Sequence, residues 1–201
     1  MSLARYIVLP IGATIALILV ATPATAAPAV TVYEGAHAGF ESPDGRQMTV
    51  DLNRVNGQAT LDVEWSTHSC DAEQAPRTCS WVSRTAYDVE PASSRLSLRR
   101  AAVTADLVYD ESRRTCTYTP AEEGEEETCA EVVRSVGAAR IELAWTARGD
   151  VTQESYEDSE GRLHLTWRTG AEASGTAFGE RYPVEQSLIT QLSRTLVYES
   201  A

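Results

Sequence analysis

The sequence predicts an all-β fold, and two observations support this prediction. A pentad that alternates aliphatic with polar or small residues and ends in tryptophan occurs three times, at 61–65, 141–145 and 163–167. Successive side chains of a strand point to opposite faces, so each pentad is typical of a half-buried strand. Turn signals rich in Gly, Pro, Asn and Asp separate such segments at intervals of about 8 to 15 residues. We therefore expect a single-domain antiparallel β-sandwich, Ig-like or jelly-roll-like, with about 9 to 10 strands.

The tryptophans divide into two groups by their phase within the strands. Trp65, Trp145 and Trp167 are in phase with the aliphatic residues of their pentads, and we expect all three to lie in the core. Trp81 is in phase with a cysteine, a serine and a threonine instead. The sequence therefore predicts that Trp81 is partly exposed.

The clearest local unit is a hairpin with Asn56 and Gly57 as a two-residue type I′ turn. The turn predicts a register in which the apolar residues of both strands share one face. The predicted partners are Leu52 with Leu61, Val50 with Val63 and Met48 with Trp65. The same register places Asp51 opposite Asp62, a repulsive pair that we expect to be solvated or bridged by a cation.

The first residues have the features of a secretory signal peptide. One basic residue, Arg5, precedes an apolar run that ends near Val20, and Ala24 and Ala26 form a small-x-small cleavage pattern. This arrangement predicts a signal peptide over 1–26, one β domain over 27–201 and a secreted, extracellular protein. The apolar run contains a proline and is short for a membrane span, so we expect no span after cleavage.

The charge balance excludes two classes of partner. The chain has 29 acidic residues against 17 basic ones, a net charge of −12. Nucleic acid and anionic membrane surfaces would repel such a polyanion. An extracellular protein or a polysaccharide is the partner we expect.

The four cysteines predict disulfides. They are even in number and follow the signal sequence, which suits an oxidising compartment. Three pairings are possible in principle, and proximity favours Cys70 with Cys79 and Cys116 with Cys129. If the first pair joins neighbouring strands, His68 lies opposite Trp81. The spacing has no C-x-x-C pattern, so we expect neither a metal site nor a cofactor.

Several segments are expected to be loops. The two predicted disulfides would close loops at 71–78 and 117–128, the second containing a run of glutamates that must face solvent. Residues 149–161 are predicted as an acidic loop around Tyr156, and 170–179 as a loop rich in Gly, Ala and Ser. The pattern at 184–194 suits helix and strand equally, and a strand is favoured at 195–199.

No catalytic motif was found. G-x-S-x-G, H-E-x-x-H, a phosphate-binding Gly loop and an EF-hand loop are all missing from the sequence. An acid–base site would have to use His37, His68 or His164, and we assign no catalytic residue. The residues that suit ligand contact are Trp81, Tyr118, Tyr156 and His68, because exposed aromatic rings stack on ligands.

These observations favour a secreted, non-enzymatic binding or interaction protein that presents disulfide-constrained, acidic loops. A protease-inhibitor-like module is one version, since a rigid loop binds with little ordering cost. Two alternatives are an extracellular hydrolase with an unrecognised site and a cell-surface structural or carbohydrate-binding protein that uses Trp81.

Overall fold

The computed structural model describes residues 29–199, and the predicted signal peptide, 1–26, lies outside them. The described residues form eleven strands and a 3-10 turn at Val184–Gln186. The strands are β1 (Val30–Glu41), β2 (Gln47–Val55), β3 (Gln58–Cys70), β4 (Arg77–Val89), β5 (Ser93–Leu96), β6 (Arg100–Ala121), β7 (Gly124–Cys129), β8 (Val133–Glu157), β9 (Leu163–Ala177), β10 (Glu180–Tyr182) and β11 (Ser187–Tyr198). The prediction of an antiparallel all-β fold is confirmed. Among these residues no helix is long and apolar enough to cross a membrane.

Eight of the strands form a closed sheet. Their order is β9, β11, β1, β2, β3, β4, β6 and β8, and β8 pairs again with β9. All pairings are antiparallel. Closure gives each of these strands two neighbours, which satisfies backbone groups that a sheet edge would leave unpaired. The shorter strands β5, β7 and β10 each pair with one strand of the ring.

The core fills the inside of the closed sheet. Strands on opposite sides of the sheet pack against each other there, as the two layers of the predicted sandwich would. Phe40 of β1 packs on Tyr182 of β10 with ring centroids 5.3 Å apart. The indole of Trp145 in β8 donates a hydrogen bond to the carbonyl of His37 in β1, at 3.1 Å. One continuous cluster of buried residues therefore joins both walls.

The predicted hairpin register is confirmed. β2 and β3 pair Leu52 with Leu61, Val50 with Val63 and Met48 with Trp65. Asn56 and Gly57 both have positive φ, at 48° and 94°, as a type I′ turn requires.

The facing carboxylates of this hairpin are separated by different partners. Asp51 accepts a hydrogen bond from the His37 ring at 2.8 Å, and Asp62 accepts the backbone N–H of Asp88 at 2.8 Å. Each carboxylate thus has its own donor, which reduces the cost of the like-charge pair.

Three of the four predicted loops are mostly strand, and those three expectations were wrong. Residues 117–128 form the end of β6 and most of β7, with Ala121 paired to Gly124. β8 extends to Glu157, and β9 covers most of 170–179. The fourth predicted loop, 71–78, is a loop up to residue 76, where β4 follows at Arg77. Every residue of β7 is exposed, so its glutamates stay hydrated while the backbone pairs with β6. A charged segment can therefore form a strand when both of its faces meet water. Residues 184–194, whose sequence suited helix and strand equally, form the 3-10 turn and the start of β11.

Two of the three predicted core tryptophans are buried, Trp65 and Trp145. The expectation for Trp167 was wrong: this residue is half-buried, while its neighbour Thr166 is buried. Between Arg148 and Thr152 the β8–β9 ladder shifts register. The irregularity adds two residues to β8, so the alternation of side chains along β9 is unchanged. Trp167 lies in the same phase of β9 as the buried Thr169 and Ala173, but it is located beyond this irregularity, nearer the start of the strand.

Both predicted disulfides are confirmed, Cys70–Cys79 and Cys116–Cys129. Each joins residues that are direct partners in adjacent strands. The register also places Cys79 opposite Cys116, so the two disulfides lie side by side across β3, β4, β6 and β7.

Candidate functional site

The candidate site is the outer face of β3, β4, β6 and β7 around the two disulfides. Trp65 and Arg84 point into the closed sheet, and side chains an odd number of residues away in the same strands point outward. We call this outer surface the stapled face. Its members are His68, Cys70, Arg77, Cys79, Trp81, Arg114, Cys116, Tyr118, Glu127 and Cys129.

The members are arranged in three rows across the strands. The first row is His68, Trp81 and Arg114, which are neighbours in the register of β3, β4 and β6. The second row contains the four cysteines. The third row pairs Arg77 with Tyr118, and Tyr118 in turn with Glu127. The disulfides therefore lie between two rows that each carry an aromatic residue and an arginine.

A stacked pair of rings is the most prominent feature of the first row. The imidazole of His68 lies on the indole of Trp81 with centroids 4.7 Å apart and planes 24° apart. His68 is exposed and Trp81 half-buried. His68 Nε2 is 3.4 Å from Cys70 Sγ, which helps to hold the imidazole against the indole.

The indole N–H of Trp81 differs from those of the other tryptophans. Trp65 donates to the Tyr182 hydroxyl, Trp145 to a backbone carbonyl and Trp167 to Gln153. Within residues 29–199, the N–H of Trp81 has no acceptor. Since no buried side-chain polar atom among these residues is unsatisfied, this donor is accessible to solvent. It is a free hydrogen-bond donor beside an accessible aromatic face.

Two cavities flank the stacked pair. One, of about 400 Å³, is lined by Gln47, Ser66, Ser83 and Arg114. The other, of about 680 Å³, lies over the first disulfide and is lined by Asp71, Glu73, Arg77 and Tyr118. Both volumes lie in the range typical of small-molecule sites. The side chains that the two cavities share are His68 and Trp81, so the pair forms the wall between them.

The third row is a network of paired charges around Tyr118. The Arg77 guanidinium lies 4.8 Å from the centre of the Tyr118 ring and binds Glu125 through two nitrogens, at 2.8 and 3.2 Å. Tyr118 donates to Glu127 at 2.9 Å, and this hydrogen bond raises the pKa of the phenol. These contacts fix the Tyr118 ring and neutralise the arginine.

Strand pairing and two disulfides make the stapled face rigid. β4 and β6 lie in the middle of the sheet with partners on both sides, and two disulfides cross the same row. Arg77 also donates to the backbone carbonyl of Glu73 at 2.9 Å, which ties the loop before β4 to the strand. A ligand that binds this face therefore meets preformed side-chain positions, which lowers the ordering cost of binding.

Three of the four predicted contact residues, His68, Trp81 and Tyr118, come together on this face. The fourth, Tyr156, lies on the β8–β9 hairpin. It is 57% exposed, and its ring stacks on His164 with centroids 4.5 Å apart and planes 9° apart. His164 and Arg162 donate to Asp158 at 2.9 and 2.8 Å, and these hydrogen bonds hold the pKa of Asp158 well below its usual range.

No pattern in the sequence singled out Arg77, Arg114 or Gln47 as site residues. Only the register between β4 and β6 places Arg114 beside Trp81. No short turn joins those two strands, so the sequence does not specify that register. Gln47 reaches the cavity because it pairs with Ser66, which the Asn-Gly hairpin register already implied.

The histidines do not form a recognisable catalytic arrangement. His37 and His164 each have a carboxylate within hydrogen-bond reach, Asp51 and Asp158. Neither histidine lines either cavity of the stapled face. His68 does line cavities, but no carboxylate or hydroxyl oxygen of residues 29–199 hydrogen-bonds to its ring. An acid–base site needs both conditions in one place.

Metal ligation on the stapled face is blocked by the disulfides. In the described segment, two groups of side chains are close enough to hold an ion: His68 with Cys70 and Cys79, and Glu127 with Cys116 and Cys129. Both groups depend on cysteines that are oxidised. A metal requires the thiolate, so these residues do not suit one.

Comparisons of the chain with protein-family models, with curated proteins and with solved structures found no match.

Proposed function

We propose that this protein is a non-enzymatic binding protein that acts outside the cell and contacts its ligand through the stapled face. The observation that carries the proposal is the His68–Trp81 pair between two cavities. An aromatic face, a free N–H donor and nearby polar side chains are the usual components of a ligand site. The extracellular assignment is supported by the two disulfides, since such bonds persist in oxidising compartments.

The acidic segments border this face rather than forming the contact surface alone. The loop that carries Asp71 and Glu73 lines the larger cavity, and β7 contributes Glu125 and Glu127 to the ion pairs with Arg77 and Arg114. These carboxylates exclude anionic ligands by repulsion and give the rim its selectivity. A protease-inhibitor-like role would use the same loop, and it is one arm of the test.

The test is a retention assay on a panel of named probes. The protein, produced with its disulfides, is applied to cellulose, chitin and xylan and to immobilised lysozyme as a basic protein; trypsin and subtilisin are assayed for inhibition. We expect retention or inhibition with at least one probe, and a loss of about tenfold or more in affinity in Trp81→Ala. Trp167→Ala is the matched control, since Trp167 is also half-buried but lies on β9.

Two outcomes would overturn the proposal. One is that no probe on the panel is bound or inhibited. The other is that Trp81→Ala, with an unchanged circular dichroism spectrum, binds as well as the wild-type protein does.

A further inference from the structure

The position of the His68–Trp81 pair indicates that the ligand is a chain rather than a single small molecule. The two cavities share these side chains and no others. A ligand that occupies both cavities must therefore pass over the stacked rings. Along β6, Tyr118 lies four residues beyond the partner of Trp81, which corresponds to about 14 Å. The face thus offers two aromatic contacts to an extended ligand.

The strand pairing excludes one common way of binding an extended peptide. Peptides often add to a sheet by hydrogen-bonding to a free edge strand. Under the stapled face, β4 is paired with β3 and β6, and β6 is paired with β4 and β7. The backbone there is already satisfied, so recognition must use the side chains.

The charges of the two cavities exclude a polyanionic chain. Arg77 is held by Glu125 at 2.8 Å, and Arg114 lies 3.7 Å from Glu127. The cavities also contain the carboxylates of Glu41, Asp71 and Glu73. Both cations are thus already neutralised, and a polyanion would meet net repulsion.

The remaining side chains suit hydroxyl groups. Gln47, Ser66 and Ser83 line the smaller cavity, and each can donate and accept hydrogen bonds. Trp81 adds an N–H donor and the ring face opposite His68, on which the C–H face of a sugar can stack. A neutral sugar chain presents both hydroxyl groups and apolar C–H faces at regular intervals.

We propose that the stapled face binds a neutral glycan chain that runs from the Gln47 cavity, over Trp81, into the Tyr118 cavity. This assignment rests on the proposed function and names the ligand class for the same site. It requires several sugar units for full affinity, because a single unit fills one cavity at most.

The experiment is isothermal titration of the wild-type protein with xylose and glucose, and with their β-1,4-linked oligomers of two, four and six units. We expect the affinity for at least one series to rise about tenfold or more between monomer and hexamer. Polygalacturonate is the anionic control. It should bind more weakly than a neutral polymer with the same number of sugar units.

Variants locate the binding. Trp81→Ala should lower hexamer affinity by about tenfold or more, and Trp81→Phe, which keeps an aromatic face, by a smaller factor. Gln47→Ala should weaken the hexamer more than the dimer, since the dimer can occupy the other cavity. Trp167→Ala should bind as the wild type does. The length series needs no variant, so it remains informative if Trp81→Ala does not fold.

The outcomes separate this assignment from the proposed function. Trp81-dependent binding of lysozyme or a protease, together with no affinity for either sugar series, would overturn the glycan assignment and keep the binding function. Equal affinity for monomer and hexamer would overturn the claim that the ligand is a chain of several sugar units. Tighter binding of polygalacturonate than of the neutral polymer would overturn the claim that the glycan is neutral. Sugar binding that is indifferent to Trp81→Phe and Trp81→Ala alike would overturn both proposals.

Discussion

Arg84 and Glu111 form an ion pair inside the closed sheet, where they are direct partners of β4 and β6. Arg84 Nε is 2.8 Å from Glu111 Oε2, and the guanidinium lies over the Trp65 ring at 4.4 Å from its centre. Glu111 also accepts a hydrogen bond from Arg113 at 2.8 Å. The side chains are 20% and 10% exposed, so neither charge is fully hydrated and each depends on the other.

Removing one partner should cost far more than removing both. Glu111→Gln leaves Arg84 without its counter-charge among aromatic rings, and we expect a loss of about 2 to 3 kcal/mol in the free energy of unfolding. The double variant Arg84→Met with Glu111→Leu should lie within about 1 kcal/mol of the wild type, because it removes the desolvation penalty together with the attraction. Urea unfolding with intact disulfides measures both. Losses that simply add in the double variant would contradict the coupling.

The same pair predicts a dependence of stability on pH. Hydrogen bonds from Arg84 and Arg113 lower the pKa of Glu111 in the folded protein. A lowered folded pKa means that the contribution to stability is complete above the unfolded pKa, about 4.3, and is lost as the pH falls through the folded pKa. The urea midpoint of the wild type should therefore fall more steeply below about pH 5 than that of Glu111→Gln. Parallel curves from neutral to acidic pH would show that Glu111 is not the titrating group.

A buried hydrogen bond joins the β3 strand to β10. Trp65 Nε1 donates to the Tyr182 hydroxyl at 2.9 Å, and both residues are buried. Tyr182→Phe would leave the indole N–H without an acceptor in the core, at a cost of about 1 to 2 kcal/mol in unfolding free energy. Tyr33→Phe is the control, since Tyr33 is 44% exposed. Equal effects of the two substitutions on the thermal midpoint would argue against this hydrogen bond.

Gly175 marks a close approach of two strands. A Cβ at this position would lie 2.0 Å from the backbone oxygen of Glu142, which cannot move aside as a flexible side chain could. We expect Gly175→Ala to destabilise the protein by about 3 kcal/mol. At Gly39 a Cβ would meet its nearest atom at 3.8 Å, so Gly39→Ala should be nearly neutral. Denaturant unfolding of the two variants compares them directly, and similar midpoints would refute the close approach.

The local part of the fold was predictable because its signals lie close together in the chain. Asn56 and Gly57 dictate a turn whose register the alternation of Val50 and Val63 confirms. Cys70 and Cys79 are separated by nine residues and join adjacent strands. In each case turn chemistry and hydrophobic phase specify the same arrangement.

The long-range part could not be predicted for the opposite reason. The closed sheet depends on β8 pairing with both β6 and β9 and on β1 pairing with β11. The partial exposure of Trp167 depends on which side chains surround it in space, and no local residue indicates that. The Arg84–Glu111 pair did leave a signal. Arg84 is in phase with Val82 and Ala86, so a charged residue occupies an inward position of β4, which indicates a partner of opposite charge inside.

The candidate site was predicted only in part: the sequence singled out His68, Trp81 and Tyr118 but not Arg77 or Arg114. His68 and Trp81 are opposite each other as the Cys70–Cys79 pairing implied. Tyr118 lies on the same face because β6 continues beyond the closed sheet and pairs with β7. The run of glutamates had indicated a loop there. The free N–H of Trp81 depends on what surrounds it in space, and no pattern in the sequence reports that.

The most direct test of the proposed ligand-contact surface is a ¹⁵N–¹H spectrum of the four indole N–H groups. Trp81→Phe identifies the Trp81 signal by its disappearance. On addition of whichever panel probe the wild-type protein binds, in soluble form, the account predicts that the Trp81 signal shifts more than those of Trp65, Trp145 and Trp167. Binding that moves the Trp167 signal and leaves the Trp81 signal in place would contradict it.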